Sequence, residues 1–298
     1  MCGLLLINKP EGITSFGVVS KVRRLTGQKH VGHTGTLDPM ATGVLPVLIG
    51  RATKLSDYIL CANKAYKATV KLGITTDTLD ITGKVLESKK VSVTNEEIDE
   101  ALKRFTGEIE QTPPMFSAIK KDGVRLYSLA REGKQVEIPS RKVCVFSLNR
   151  QTDIDENYQF DISCRVSKGT YIRSLVNDIG AYLGTGAAVS SLIRTETAGF
   201  DISDCVSLEN LNEDNIEKYI LPASKAVENF RQVTITRAQA FRFSNGGNLD
   251  INRLKCDKIL DGEIIRVNSD NKFLGLACVF SDENIIKPKC LIDPVTKE

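Results

Sequence analysis

Apolar and polar positions change along the chain with periods that predict a succession of strands and helices. Residues 4–8 form a nearly continuous apolar run, which is typical of a buried strand. Ser15 can cap a helix whose apolar residues recur every three or four positions up to Gly27. Thr94 with Glu97 predicts a capping box at the start of another helix. Further strands are predicted over residues 43–50, 66–72, 84–93, 143–148, 158–166, 264–267 and 273–280, and helices over 53–60, 94–105, 170–183, 208–211 and 216–230.

The character of the sequence changes near residue 231. Beyond that point the predicted segments become shorter and turn residues cluster, as at residues 244–247 and 261–262. We therefore predict two domains. Residues 1–230 are expected to form an α+β domain with a mixed, largely antiparallel sheet, and residues 231–298 a small β-rich domain.

Composition is that of an ordinary globular protein, with 41% hydrophobic and 26% charged residues. No apolar run approaches the roughly 20 residues needed to cross a bilayer, and the amino terminus lacks the features of a signal peptide. We expect a cytoplasmic protein that does not bind membranes. The eight cysteines form no Cys-x-x-Cys pair and there are two histidines, so we expect neither a disulfide framework nor a metal site.

Positive charge is concentrated in two stretches, although the net charge is only +3. Residues 1–76 hold ten lysines and arginines against three acidic residues, and residues 117–142 hold seven against three. Charge runs are commonly solvated faces. Here the first stretch also contains the most distinctive loop of the chain, which favours a polyanionic substrate such as a nucleic acid.

That loop, GHTGTLDPMATGVL at residues 32–45, holds a single carboxylate, Asp38, between two glycine-containing segments. Pro39 restricts Asp38 to an extended or turn conformation, so the loop can hold one carboxylate at a fixed angle. The alternative is that Asp38 only hydrogen-bonds its own turn. The two histidines, His30 and His33, lie within eight residues of Asp38, and basic residues surround the loop. These features favour a nucleophile or a base.

Other candidate residues lie in three further segments. Tyr66 is on a predicted strand, where a half-buried structural aromatic is the alternative interpretation. Tyr171 and Arg173 open the predicted helix 170–183, where free backbone N–H groups can bind an anion. Because an arginine in the first turn opposes the helix dipole, we expect a carboxylate partner for Arg173, with a solvated charge as the alternative. Leu192 is expected in the core.

Several absent signatures exclude classes of function. The chain has no Gly-x-x-x-x-Gly-Lys-Ser/Thr phosphate loop, and Gly184-x-Gly186 lacks the third glycine of a dinucleotide fingerprint. It also has no His-Glu-x-x-His motif and no nucleophile elbow. Nucleotide hydrolysis, redox chemistry and zinc-dependent deamination therefore have no support.

Four groups of segments carry a joint pattern in order along the chain: residues 9–10 and 32–45; 64–66, 72–73, 76–78 and 80–83; 111–114, 117–118, 123, 125 and 127; and 168–175, 178–180 and 192–195. These groups resemble the motifs of the TruB family of tRNA pseudouridine synthases. The resemblance extends from Lys9 to beyond Phe273. Val166 replaces a frequent cysteine and Ala198 a usual glycine, and neither is a candidate site residue.

The resemblance implies that the protein isomerises uridine to pseudouridine at position 55 in the T arm of tRNA. Asp38 would be the nucleophile, attacking either C6 of the uracil or C1′ of the ribose, and Arg173 would pair with it. Tyr66 would stack on the flipped-out base and help a proton leave. No cofactor is needed, because the reaction leaves the composition of the nucleoside unchanged. The substrate would be bound by His33, Gly35, Lys54, Tyr171 and Leu192.

The resemblance further implies a pseudouridine synthase fold, with a basic insertion at about residues 113–142 that grips the T arm. Residues 231–298 resemble a PUA-type RNA-binding domain. The expected partner is tRNA, bound by a monomer with no small-molecule cofactor. Two alternatives remain for the function: a pseudouridine synthase that acts on another RNA, and a non-catalytic tRNA-folding chaperone.

Overall fold

The computed structural model describes residues 1–117, 119–121, 123–133, 136–254, 256 and 259–295. Parts of four sequence predictions lie outside these residues. Residue 118 belongs to the matched motifs, residue 122 to a turn expected at residues 121–123, residues 118, 122 and 134–135 to the insertion, and residues 255, 257–258 and 296–298 to the C-terminal domain. The helices are α1 (Ser15–Thr26), α2 (Ser56–Leu60), α3 (Asn95–Arg104), α4 (Leu126–Arg131), α5 (Ile172–Tyr182) and α6 (Arg237–Ser244).

The strands are shorter on average after residue 200. They are β1 (Gly3–Lys9), β2 (Val31–His33), β3 (Thr42–Ile49), β4 (Lys64–Leu72), β5 (Ile74–Thr76), β6 (Val85–Ser88), β7 (Gly107–Gln111), β8 (Lys120–Lys121), β9 (Val124–Arg125), β10 (Arg141–Arg150), β11 (Gln159–Val166), β12 (Ala187–Thr197), β13 (Phe200–Asp201), β14 (Val206–Ser207), β15 (Gln232–Thr234), β16 (Leu249–Asp250), β17 (Ile264–Ser269), β18 (Lys272–Phe280) and β19 (Ile285–Leu291).

One large sheet forms the centre of the part of the chain that the structure describes. Its strand order is β14-β1-β3-β12-β4-β11-β10-β7, with β2 paired to β3 and β13 paired to β12. Two pairings, β1 with β14 and β3 with β12, are parallel, and the others in this sheet are antiparallel. The prediction of an α+β fold with a mixed, largely antiparallel sheet is therefore confirmed.

Strand β1 is buried on both faces, which explains its continuous apolar sequence. Leu5 and Ile7 belong to the main core beneath α1 and α5. Leu4 and Leu6 point the other way and pack with residues of the C-terminal part, among them Leu276. Strand β4 instead alternates between buried and more exposed residues, as its sequence predicts.

The C-terminal part contains a five-stranded sheet in the order β15-β17-β18-β19-β16, with its own apolar cluster against α6. Phe243 of α6 is fully buried in that cluster. A further cluster joins this sheet to the back of β1 and β3 through Leu276 and Ile292. The two sheets therefore share buried apolar contacts.

Several local predictions differ from the structure. Thr14 caps α1 in place of Ser15, because the Thr14 side chain accepts a hydrogen bond from the Gly17 N–H while Ser15 is turned inward. The predicted strand 84–93 is confined to β6. The helices predicted over residues 208–211 and 216–230 are three short 3₁₀ turns, since Pro222 interrupts the second stretch.

The central strand β12 was not predicted. It carries two register irregularities against β4, one between Val189 and Ser191 and one between Arg194 and Glu196. Each irregularity shifts the side chains relative to the two-residue period, so the sequence shows no clean alternation.

We expect Leu48→Ala to destabilise the protein by about 2–5 kcal/mol, because Leu48 is fully buried between the two sheets and truncation leaves a cavity. Urea unfolding followed by circular dichroism measures this. Leu60→Ala is the control, since Leu60 is 38% exposed and its truncation should change the free energy of unfolding by about 0.5 kcal/mol or less. Equal effects would contradict the shared core.

Candidate active site

Asp38 lies in the loop that joins β2 to β3, here called the Asp38 loop (residues 34–41). Lys9, fully buried at the end of β1, holds the proline after Asp38. Its Nζ donates to the Pro39 carbonyl oxygen at 3.2 Å and to the Ile13 and Pro10 carbonyl oxygens at 2.7 and 2.8 Å. A charged group with three acceptors is a rigid anchor, because leaving it unpaired in the interior costs free energy.

Ser15 is a second anchor for the Asp38 loop. Its hydroxyl oxygen accepts a hydrogen bond from the Leu37 N–H at 2.8 Å and donates to the Leu37 carbonyl oxygen at 2.9 Å. The Ala41 N–H donates to the Asp38 carbonyl oxygen at 3.1 Å and closes the turn. The backbone on both sides of Asp38 is therefore fixed before any ligand binds.

Arg173, in the first turn of α5, faces Asp38. Its Nε lies 2.9 Å from Asp38 Oδ2, and its Nη1 lies 3.6 Å from Asp80 Oδ2. The same guanidinium donates to the carbonyl oxygens of Thr78 and Phe116 at 2.7 and 2.8 Å. The Arg173 side chain is only 4% exposed. The expected carboxylate partner is thus present, and the alternative of a solvated surface charge is wrong.

Asp80 is a second carboxylate at this site and was not among the predicted site residues. It lies in the loop between β5 and β6 and is 4% exposed. Its Oδ1 accepts hydrogen bonds from Thr78 Oγ1 at 2.9 Å and from the Thr82 N–H at 3.0 Å. The sequence signal that could have indicated a second carboxylate was Arg173 itself, because one carboxylate only partly compensates a cation in the first turn of a helix.

Tyr66 and Leu192 come together on neighbouring strands, β4 and β12. Both are buried, with exposures of 7% and 6%, and both belong to the main core cluster. Arg194 is the direct cross-strand partner of Tyr66, so the two buried side chains lie side by side on one face of the sheet. Arg194 Nη2 donates to the Gly35 carbonyl oxygen at 3.0 Å. Arg194, which lies in a matched motif but was not a predicted site residue, therefore connects the Asp38 loop to the strand that carries Tyr66.

Gly43, at the start of β3, permits this close packing of strands. Its φ of 102° is unfavourable for other residues, and a Cβ atom there would lie 2.2 Å from the Arg194 carbonyl oxygen. Gly35 also has a positive φ, 84°, and a Cβ atom there would lie 3.3 Å from Arg194 Nη1. Both glycines therefore favour the contact between the Asp38 loop and β12.

Tyr171 and His33 lie at the edges of this site. Tyr171 precedes α5, where its N–H donates to Gln111 Oε1 at 2.7 Å and its carbonyl oxygen accepts from Gln111 Nε2 at 3.0 Å. The Arg141 guanidinium lies 5.1 Å from the Tyr171 ring centroid. His33 ends β2 immediately before the Asp38 loop and is half-buried. The loop that follows His33 carries Asp38, and the helix that follows Tyr171 carries Arg173.

Lys54 lies in a different place from the other candidates. It is exposed, and its Nζ donates to the Leu291 carbonyl oxygen of β19 at 3.3 Å. It lines a cleft of about 880 Å³ beside the C-terminal sheet, together with His30, Arg51 and Lys272. This cleft is basic but contains none of the residues that surround Asp38.

Burial raises the pKa of Asp38 above its usual value, and the nearby Asp80 carboxylate adds to the rise. The Arg173 guanidinium and the Lys9 ammonium oppose this change. Burial also lowers the pKa of Lys9 to about 8. The Asp38 side chain remains 33% exposed, so a ligand can reach it. A carboxylate with a raised pKa is more basic when ionised, and therefore a better nucleophile.

Two further features concern only the described part of the chain. No group of three or more histidine, cysteine, aspartate or glutamate side chains is arranged there to hold a metal ion. None of its helices is both long enough and apolar enough to span a bilayer.

Comparisons with known proteins identify the family of this chain. Residues 23–172 match the family model described as "TruB family pseudouridylate synthase (N terminal domain)", and residues 173–228 match "tRNA pseudouridylate synthase B C-terminal domain". The chain belongs to the TruB family. The two matches meet inside the first turn of α5, so Asp38 lies in the first and its partner Arg173 in the second.

Curated relatives of this TruB family chain cover nearly its whole length. The "tRNA pseudouridine synthase B" of Clostridium tetani is 44% identical over 277 residues, 93% of this chain and 95% of that protein. The protein of the same name from Clostridium kluyveri is 45% identical over 278 residues, again 93% and 95%.

Solved structures show the same fold. "Crystal Structure of a Cbf5-Nop10-Gar1 Complex" matches with a TM-score of 0.76 and 26% identity, covering 98% of this chain and 85% of that one. "Structure of H/ACA RNP bound to a substrate RNA containing 2'-deoxyuridine" matches with a TM-score of 0.75 and 25% identity over the same shares. The predicted pseudouridine synthase fold is thereby confirmed.

Replacing two charged neighbours of Asp38, Asp80 and Arg173, should move its pKa in opposite directions. Asp80→Asn should lower the pKa of Asp38, since it removes a nearby negative charge, and Arg173→Met should raise it further, since it removes the positive partner. The ¹³Cγ chemical shift of Asp38, assigned against Asp38→Asn, measures both values. Shifts of the same sign would contradict this account of the site.

Proposed function

We propose that this TruB family protein isomerises uridine to pseudouridine in tRNA, at uridine 55 of the T arm, with Asp38 as the nucleophile. The observation that carries the proposal is the Asp38–Arg173 pair. One accessible carboxylate is aimed by a buried guanidinium, in a chain whose family consists of pseudouridylate synthases. The relatives named tRNA pseudouridine synthase B support tRNA as the substrate.

The reaction needs only a nucleophile and proton transfer. The ionised Asp38 oxygen forms a transient bond to carbon, at C6 of the uracil or at C1′ of the ribose. The bond between N1 and C1′ breaks, the uracil rotates, and C5 bonds to C1′. The hydrogen on C5 leaves as a proton, N1 gains a proton, and Asp38 is released. Atoms and electrons balance without a cofactor.

Each neighbouring side chain has a task in this proposal. Arg173 keeps Asp38 charged and aimed, because it stabilises the ionised form. Tyr66 stacks on the uracil and helps the C5 proton leave, and Leu192 forms the apolar wall beside it. Tyr171 lines the same pocket, while His33 and Gly35 support the flipped-out nucleotide. Extruding a base from its stack costs a few kcal/mol, which these contacts and the basic surface offset.

The remaining parts of the chain bind the rest of the tRNA in this proposal. The insertion at residues 113–142 grips the T arm, and residues 231–298 act as a PUA-like RNA-binding domain. The start of the insertion is anchored to the site, because the carbonyl oxygens of Thr112 and Phe116 accept hydrogen bonds from Ser174 and Arg173. We propose that the protein works as a monomer in the cytoplasm.

The raised pKa of Asp38 sets the pH dependence of this reaction. Only the ionised carboxylate is a nucleophile, so the rate falls as the pH drops through the pKa of Asp38. Because burial raises that pKa, the acidic limb of the rate profile lies above the value of about 3.9 of an ordinary aspartate.

Asp38→Asn should abolish isomerisation while tRNA still binds. Loss of a nucleophile costs roughly 10⁴-fold or more in rate, whereas the amide keeps the shape of the side chain. Release of tritium from tRNA labelled at uridine C5 measures the reaction, and filter binding measures affinity. Asp214→Asn, at an exposed aspartate, is the matched control and should retain full activity.

The same assay tests the substrate. A wild-type protein that releases no tritium would contradict the proposed function, as would an active Asp38→Asn variant. Replacing uridine 55 of the tRNA by cytidine should remove the release. Release from the altered tRNA at the full rate would show that another uridine is the target.

Lys54→Glu should weaken tRNA binding without changing the single-turnover rate at saturation. The cleft around Lys54 is basic, and a lysine contact to phosphate contributes about 1 to the slope of log affinity against log salt. Filter binding at several salt concentrations measures this. Lys218→Glu makes the same charge change at another exposed lysine, and an equal effect there would contradict a specific role for Lys54.

A further inference from the structure

Among the described residues, Arg194 has the largest fully buried side chain, with an exposure of 1%. In the three adjacent strands β3, β12 and β4, it is the register partner of Gly43 on one side and of Tyr66 on the other. Arg194 therefore lies between the strand that follows the Asp38 loop and the strand that carries Tyr66.

Arg194 is hydrogen-bonded to two backbone carbonyl oxygens and lies beside the side chain of Tyr66. Its Nε donates to the Val44 carbonyl oxygen at 2.8 Å, and its Nη2 donates to the Gly35 carbonyl oxygen at 3.0 Å. These two acceptors lie on either side of Asp38 in the sequence and fix the guanidinium plane. The side chain of Tyr66, the cross-strand partner of Arg194, lies beside this guanidinium on the same face of the sheet. Because the guanidinium is rigid and its plane is fixed, it restricts the position of the neighbouring phenol.

The described hydrogen-bond acceptors of Arg194 are carbonyl oxygens rather than a carboxylate. Keeping a positive charge buried in such surroundings costs free energy, and an apolar side chain of similar volume would fill the space at lower cost. A purely structural role therefore explains the shape of this residue but not its charge. The charge does act on Tyr66: burial raises the pKa of Tyr66, and Arg194 opposes that rise.

The Asp38 loop does not depend on Arg194 alone. Lys9 holds the Pro39 carbonyl oxygen and Ser15 holds both backbone groups of Leu37. Tyr66, in contrast, is paired directly across the strands with Arg194, whose positive charge opposes the effect of burial on the pKa of Tyr66. Loss of the guanidinium should therefore release the phenol more than the carboxylate.

We propose that Arg194 is a positioning residue that holds the Tyr66 hydroxyl at a fixed distance from Asp38, so that the phenol meets the C5 proton of the bound uridine. This rests on the proposed function. Arg194 does not touch the nucleoside itself and acts through Tyr66.

A double-mutant cycle tests whether the effect of Arg194 runs through Tyr66. Single-turnover tritium release and tRNA affinity are measured for the wild type, Arg194→Lys, Tyr66→Phe and the double variant. Arg194→Lys keeps the charge but cannot hold both carbonyl oxygens, so the charge is no longer fixed beside the phenol and release should slow by about 10- to 100-fold. Affinity should change less than about twofold, since the contact matters during reaction. In the Tyr66→Phe background the same change should cost less than about threefold.

The control is Arg150→Lys. Arg150 lies on β10, and its Nε donates to Oδ1 of Asp99 on α3 at 2.8 Å. This variant should retain the wild-type rate. Thermal unfolding and circular dichroism are recorded for every variant. If Arg194→Lys does not fold, Arg194→Gln takes its place in the cycle.

Three results would overturn the proposal. Equal losses in both backgrounds would show that Arg194 acts independently of Tyr66, and a full rate for Arg194→Lys would show that it does not act on the reaction. Failure of both Arg194 variants to fold would show that the residue maintains the fold instead. An inactive wild type would contradict the proposed function itself, which separates the two failures.

Discussion

The buried guanidinium of Arg173 requires negative and polar partners, and this requirement brings four separated segments into one site. Its partners are Asp38, Asp80 and the carbonyl oxygens of Thr78 and Phe116. Moving any of these segments away would leave a charge or a carbonyl group unpaired in the interior. That penalty amounts to several kcal/mol for a charge, so the segments are held together strongly.

A second constraint fixes the nucleophile loop from the opposite direction. Lys9 and Ser15 come from the first twenty residues and Arg194 from β12, yet all three bind backbone groups of the Asp38 loop or its flanks. The carboxylate is thus oriented in the free protein. A site that is already ordered spends little binding energy on its own organisation, which leaves more to extrude a base from RNA.

The fold places this site where three strands of different origin meet. Strand β3 leaves the Asp38 loop, β12 carries Leu192 and Arg194, and β4 carries Tyr66. The opposite face of β1 and β3 packs against the C-terminal sheet, so β3 is supported on both sides. Burial on both faces limits local movement of β3, since any displacement opens a cavity in one of two cores.

Features that depend on neighbouring residues were predictable from the sequence. The alternation of β4, the left-handed Gly27 at the end of α1 and the capping box of Thr94 and Glu97 are present as predicted. The same is true of the distinctive Asp38 and of the need of Arg173 for a carboxylate, because a cation in a first helical turn is unfavourable on its own.

The tertiary structure alone decided which distant residues meet. The Arg194 contact with Val44 spans 150 residues, and the Arg173 contact with Thr78 spans 95. Such contacts follow from strand order and from register, including the irregularities of β12, and local periodicity carries no information about either. For this reason the sequence pattern did not indicate that Asp80, Lys9 and Arg194 belong to the site. It also did not indicate that Lys54 lies in another cleft. The sequence determined the reactive group, whereas the packing of distant strands determined its surroundings.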